Sequence, residues 1–308
     1  MEKLVDNNLT GTLPQELNLL IYIELLNLYR NNIHGTIPSS IYFLKYLTAL
    51  SLSDNKLSGT IDSAIGHNMT GLSQLYLQNN NFNGTIPDSL FEERIGMLGI
   101  SLENNDFEGQ IPSSIGNWKN IFLLNFNQNR FEGTFPDVFE NFQQLNLLSL
   151  NRNKLTGEIP SSLWTRSSLQ TLSLFGNKFE GELPSSIGDL SFLTVLDLSD
   201  NRLNSTIPRS IGNLQEIQKI VLSTNNFDGP IPTTIGNLSM LETLDLAYNN
   251  LVGEIPSSIG SLTNLLDLSL AYNQLTGVLP DTFRNLKKLR KCNICHTTFW
   301  SSYNCCHS

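Results

Sequence analysis

Twelve asparagines recur along this chain at a nearly fixed interval: Asn7, Asn31, Asn55, Asn80, Asn105, Asn129, Asn153, Asn177, Asn201, Asn225, Asn249 and Asn273. Nine of the eleven gaps are 24 residues and the other two are 25. One full cycle reads Leu241-x-x-Leu244-x-Leu246-x-x-Asn249-x-Leu251-x-Gly253-x-Ile255-Pro256-x-x-Ile259-Gly260-x-Leu262. A period of this size, held this long, predicts a solenoid in which each coil buries its apolar residues against the next. Such a stack offers long open surfaces rather than a closed reaction chamber.

Each position in the cycle carries a physical expectation. Leu244-x-Leu246 alternates with period two and predicts a short strand with both leucines inward. The asparagine has two donors and an acceptor, so it can satisfy backbone groups left unpaired by a sharp bend. Stacked once per coil, these side chains predict an internal ladder. Eleven of the twelve prolines share one position, Pro14 through Pro280, and Asp62 stands there in the third repeat. Proline fixes φ and removes a donor, so single-turn or 3₁₀ pieces are expected on the outer side rather than long helices.

The pattern resembles the plant-type leucine-rich repeat, L-x-x-L-x-L-x-x-N-x-L-x-G-x-I-P-x-x-I/L-G-x-L, over residues 4–290. That resemblance implies an α/β solenoid forming a right-handed superhelical arc. A parallel β-sheet would line its concave face, with short 3₁₀ or irregular segments on the convex face. It implies one solenoid domain over 1–288, with a truncated first repeat, and a degenerate final repeat with a cysteine-containing tail over 289–308. Relatives of this kind are extracellular parts of receptor-like kinases and receptor-like proteins, and secreted inhibitors of cell-wall-degrading polygalacturonases.

Composition narrows the partners. The net charge of −9 disfavours nucleic acid, which needs clustered Lys and Arg. The one dense basic run, Arg284 to Lys291, reads as a solvated outer face. No apolar stretch is long enough to span a membrane, and no signal peptide opens the chain. The chain starts within a repeat, which predicts a fragment whose secretory and capping segments lie upstream. An extracellular or cell-surface location is therefore expected, with a cytoplasmic scaffold as the alternative. Sequons at Asn8, Asn68, Asn83, Asn204 and Asn237 permit glycosylation.

All four cysteines, Cys292, Cys295, Cys305 and Cys306, fall in the last seventeen residues. A zinc knuckle formed with His296 and His307 is disfavoured, because a strand over 292–295 would point Cys292 and Cys295 to opposite faces. A disulfide-closed end cap is the preferred reading, and no metal or cofactor is expected. No phosphate-binding loop, dinucleotide fingerprint, zinc-protease helix or nucleophile elbow is present. His34 and His67 have no carboxylate and nucleophile in repeat register. The chain reads as non-enzymatic.

Positions six, four, two and one before each ladder asparagine are free of scaffold duty and face outward. They gather Tyr29, Arg30, Tyr76 and Gln78 in one patch, Asn151, Arg152, Ser173 and Phe175 in a second, and Tyr248 with Tyr272 in a third. Aromatic residues and arginine are common contact anchors. The small, polar remainder suits a protein, peptide or glycan ligand on the concave face, with a co-receptor as a further partner. The leading expectation is a receptor-like recognition module in signalling or defence. A polygalacturonase-inhibitor-like protein and an intracellular scaffold are the alternatives.

Overall fold

A computed structural model describes residues 4–92, 96–166 and 168–295. The chain divides into two compact units, Met1–Leu155 and Thr156–Ser308. The 24-residue period runs through that boundary, and both units are built alike.

The first unit carries six main strands: Leu25–Asn27, Ala49–Ser51, Gln74–Tyr76, Gly99–Ser101, Leu123–Asn125 and Leu147–Ser149. They pair in parallel with Leu26, Leu50, Leu75, Ile100, Leu124 and Leu148 in one register row. Every residue of that row is buried, as the period-two pattern requires. The second unit repeats the arrangement with Thr171–Ser173, Val195–Asp197, Lys219–Val221, Thr243–Asp245, Asp267–Ser269 and Lys291–Asn293. There Cys292 pairs with Leu268, so the last described strand puts a cysteine where earlier coils hold leucine. Cys295 is disulfide-bonded. His296, Cys305, Cys306 and His307 lie outside the described residues.

Flanking strands follow most of the ladder asparagines. In the first unit they include Asn32–Gly35, Lys56–Gly59, Asn81–Gly84, Asp106–Gln110 and Arg130–Thr134. In the second unit Arg202–Asn204 pairs with Lys178–Glu182 and Val252–Glu254 with Gln274–Thr276, whereas the intervening coil contributes only single bridges, Thr206 to Asp228 and Pro230 to Val252. Pro230 lacks the N–H that a continuous ladder would use.

The asparagine ladder is present in both units. Asn105 is typical: its Oδ1 accepts the Phe82 N–H at 2.9 Å, and its Nδ2 donates to the carbonyls of Leu77 at 3.0 Å and Leu102 at 3.1 Å. One side chain thus ties its own coil to the preceding one while satisfying buried backbone groups. Two residues beyond the asparagine, Phe82, Phe107 and Phe131 stack coil on coil, with centroids 6.2 and 6.4 Å apart.

The outer side consists of single turns. Pro256 is extended (φ −68°, ψ 137°) and its carbonyl accepts the Ile259 N–H at 3.0 Å, opening the 3₁₀ turn Ser257–Ser261. The third coil differs because Asp62 replaces proline. Its free N–H donates to the Tyr42 hydroxyl at 3.2 Å, and its Oδ1 accepts the Ala64 N–H at 2.7 Å. The following turn, Ala64–Asn68, is α rather than 3₁₀. The wider turn takes up the extra residue of the 25-residue repeat, so the strands on either side stay in register.

The residue before the ladder asparagine sits at positive φ in both units: Arg30, Asp54, Asn79, Asn104, Gln128, Arg152, Asp200, Thr224, Tyr248 and Tyr272 lie between +51° and +58°. Glycine, asparagine and aspartate tolerate this conformation, and a β-branched residue is strained in it. Thr224→Gly is therefore expected to stabilise the protein by about 1 kcal/mol, read as a higher urea midpoint; a lower midpoint would show that its side chain outweighs the strain.

Candidate functional site

Outward positions of the main strands form the candidate surface, and hydrogen bonding sorts them into engaged and available side chains. In the first unit, Asn127 Oδ1 accepts from Ser149 Oγ and from the Asn151 N–H, both at 2.8 Å, and Asn151 Nδ2 donates to Ser149 Oγ at 3.3 Å. Asn151 is consequently only 8% exposed. It faces outward but serves its neighbours, so it offers little to a ligand. Asn125 Nδ2 donates to Glu103 at 2.8 Å, another lateral link.

Tyr29 and Arg30 are exposed. Arg30 pairs with Asp6 at 3.5 Å with both side chains largely in solvent, a pair worth about 0–1 kcal/mol and easily exchanged for a ligand carboxylate. Tyr76 and Gln78 are half-buried, and Gln78 Oε1 is buried without a hydrogen-bond partner. Arg152 is exposed.

In the second unit Ser173 is 8% exposed and Phe175 half-buried. Phe175 is thus a smaller target than a free phenylalanine on a polar sheet. Asp197 is also covered: its Oδ1 accepts from the Ser199 N–H and hydroxyl, and Lys219 stands 3.8 Å from its Oδ2. Tyr248 and Tyr272 remain open. Their rings stack with centroids 4.2 Å apart and an interplanar angle of 10°. Desolvation, then a hydrogen bond and charge interaction with Tyr272, raise the Tyr248 phenol above its usual pKa. The pair rises beside Ala247 and Ala271, both buried, whose small side chains keep the adjoining surface low.

A cavity in the first unit shares only Tyr76 with the expected patches. Gln74, Tyr76, Leu98, Gly99, Asn120, Phe122 and Gln144 line this cavity of about 260 Å³ where the main strands begin. Leu98 and Phe122 are 41% and 50% exposed. The signal was their position seven residues before a ladder asparagine, which is polar in the other coils (Glu24, Thr48, Ser73, Asn146, Gln170, Thr194, Gln218 and Glu242) except for Leu266.

Among the described residues no group of three or more His, Cys, Asp or Glu side chains is placed to hold a metal ion, and no helix is long and apolar enough to cross a membrane.

Leucine rich repeat family models match residues 239–297 and, repeat by repeat, 22–44, 46–68, 71–92, 144–165, 168–190 and 192–214. No curated protein matches the chain. Among solved structures, a TDR receptor is 27% identical with a TM-score of 0.85, over 95% of this chain and 54% of its own. The Arabidopsis receptor kinase HAESA, in complex with the peptide hormone IDA and the co-receptor SERK1, is 28% identical with a TM-score of 0.81, over 96% and 57%. The plant peptide hormone receptor RGFR1, in complex with RGF2, is 30% identical with a TM-score of 0.76, over 95% and 54%. The chain spans about half the length of these receptors. With its ladder asparagines, inward leucines and proline-opened turns all in repeat register, this chain belongs to the leucine-rich repeat family, in its plant-type form.

Proposed function

We propose that the chain is the ligand-recognising part of an extracellular receptor-like protein or receptor-like kinase. In this reading it binds an extended peptide non-catalytically on the outward face of its main strands. The observation that carries the reading is the open aromatic and basic side chains that each unit presents on its own outward strands, Tyr29 and Arg30 in the first and Tyr248 with Tyr272 in the second, none of them required by the scaffold. The similarity to a peptide hormone receptor and to a receptor kinase solved with a peptide hormone supports it. Parallel strands present such side chains at the fixed spacing of about 4.7–4.9 Å, which suits a ligand laid across several coils. The face is preformed, so little ordering cost is incurred by the protein on binding.

The test is selection of a displayed random-peptide library on the immobilised full chain. Enriched peptides should lose about tenfold or more in affinity for the Tyr248→Ala/Tyr272→Ala variant or for Arg30→Glu. No enrichment, or binding unchanged by substitution at Tyr29, Arg30, Tyr248 and Tyr272, removes the reading. The extracellular part has its own check. Asn8, Asn83, Asn204 and Asn237 are exposed, whereas Asn68 is half-buried. Secretion from a plant host should give glycans at the four exposed sequons, seen as mass lost on glycosidase treatment. A secreted chain carrying none of them would count against that location.

A further inference from the structure

The cavity at the start of the main strands has a chemistry unlike the rest of the outward face. Its apolar walls are Leu98 and Phe122, both partly open to solvent. Gln74, Asn120 and Gln144 bring three carboxamides to its rim, and Tyr76 adds a phenol hydroxyl. None of these four polar side chains is hydrogen-bonded to another described residue. Elsewhere on the same sheet outward amides such as Asn125 and Asn151 are tied to their neighbours. No lining side chain is charged at neutral pH.

One wall of the space is set by a missing methyl group. Gly99 occupies a position where other coils carry Ala, Gln, Leu, Thr, Val, Lys or Asp. A Cβ on Gly99 would stand 3.0 Å from the Tyr76 hydroxyl oxygen. The glycine therefore lets the phenol lie across the next strand and become part of the cavity wall.

A ligand matching this lining must present C–H surface to an aromatic ring and hydroxyl groups around its edge, with no net charge. A carboxamide supplies a donor and an acceptor side by side, which is what a hydroxyl that both donates and accepts requires. A pyranose ring has that form: C–H groups on its faces and hydroxyls radiating from its rim. The volume of about 260 Å³ falls just below the range of about 300–1,000 Å³ for drug-sized ligands, which fits a single sugar ring better than a peptide segment. A uronate or sulfated sugar would find no cation among the lining residues. We infer that this cavity is a binding site for one residue of a neutral glycan, built from residues other than the tyrosine pair and Arg30 and independent of the peptide reading.

Saturation-transfer NMR on the full chain with cellotetraose, xylotetraose and mannotetraose, and with trigalacturonate as the charged control, tests it. At least one neutral oligomer should receive saturation at ring C–H protons, with affinity in the millimolar range. Phe122→Ala should weaken that oligomer up to about tenfold. Gln144→Leu, which keeps an exposed side chain of similar size, should weaken it as well. Gly99→Ala should do so by displacing Tyr76, while Phe192→Ala, an equally exposed phenylalanine in the other unit, should change nothing. Transfer to none of the neutral oligomers overturns the inference. So does preference for trigalacturonate, or binding that is unaffected by both Phe122→Ala and Gln144→Leu. Each of these results leaves the peptide-selection experiment standing on its own.

Discussion

Asn225→Ala is expected to lower the stability of the protein by about 3–5 kcal/mol. Asn225 is 7% exposed. Its Oδ1 accepts the Leu203 N–H at 3.0 Å, and its Nδ2 donates to the carbonyls of Leu198 at 2.9 Å, Leu222 at 3.2 Å and Ser223 at 3.3 Å. Alanine is too short to replace any of these bonds, and the site is closed to water. Each buried group left without a partner costs about 1–3 kcal/mol. Folded domains are stable by only about 5–15 kcal/mol, so one such change consumes a large share. Contacts in a repeat stack are local. The urea transition should therefore shift to lower denaturant and lose slope, as coils around the lesion melt before the rest. Asn225→Asp keeps an acceptor for Leu203 but sets a carboxylate against the carbonyl oxygens of Leu198, Leu222 and Ser223, and should destabilise at least as much as alanine at neutral pH. An unchanged midpoint for the alanine variant would show that the ladder is not what holds the coils.

Gly212→Ala should cost about 3 kcal/mol for a different reason. A Cβ at Gly212 would lie 2.4 Å from the Thr234 carbonyl oxygen and 2.6 Å from Thr234 Cβ in the following coil. These are backbone and near-backbone atoms, which cannot swing aside, so the two turns must separate. The loss is one of space, since Gly212 is not at positive φ. Gly11→Ala provides the contrast: no atom lies within 4 Å of its added methyl, but φ is +96°, so only conformational strain of about 1–2 kcal/mol is at stake. Thermal unfolding of the two variants separates the effects. If Gly212→Ala is the milder of the two, the turns are not in hard contact.

The periodic parts of this molecule were legible before any coordinates. Inward leucines follow from alternation, and the asparagine ladder follows from one polar residue recurring beside apolar ones. The 3₁₀ turns follow from a proline at a fixed place. What escaped the reading depends on register between coils. Asn151 and Ser173 sit at outward positions, yet lateral packing covers them, and no single repeat reveals its neighbour's hydrogen bonds. The positive-φ residue before each asparagine was hidden because Arg, Gln, Thr and Tyr fill it along with Asn and Asp. The cavity beside Phe122 was hidden because one wall is set by an absence at Gly99 and by a ring from the coil before. Of the expected anchors, Tyr29, Arg30, Arg152, Tyr248 and Tyr272 are exposed, whereas Tyr76, Gln78 and Phe175 are half-buried.

The ladder also governs how such a gene can change length. Excision of residues 202–225, one whole period within the second unit, would bring Asn249 into the place of Asn225 and leave each remaining carboxamide a carbonyl and an N–H to meet. Unequal recombination between repeats is thus tolerated in steps of a complete coil. Each step slides one set of outward residues past another, so new arrangements of ligand-facing side chains arise without any new scaffold being invented.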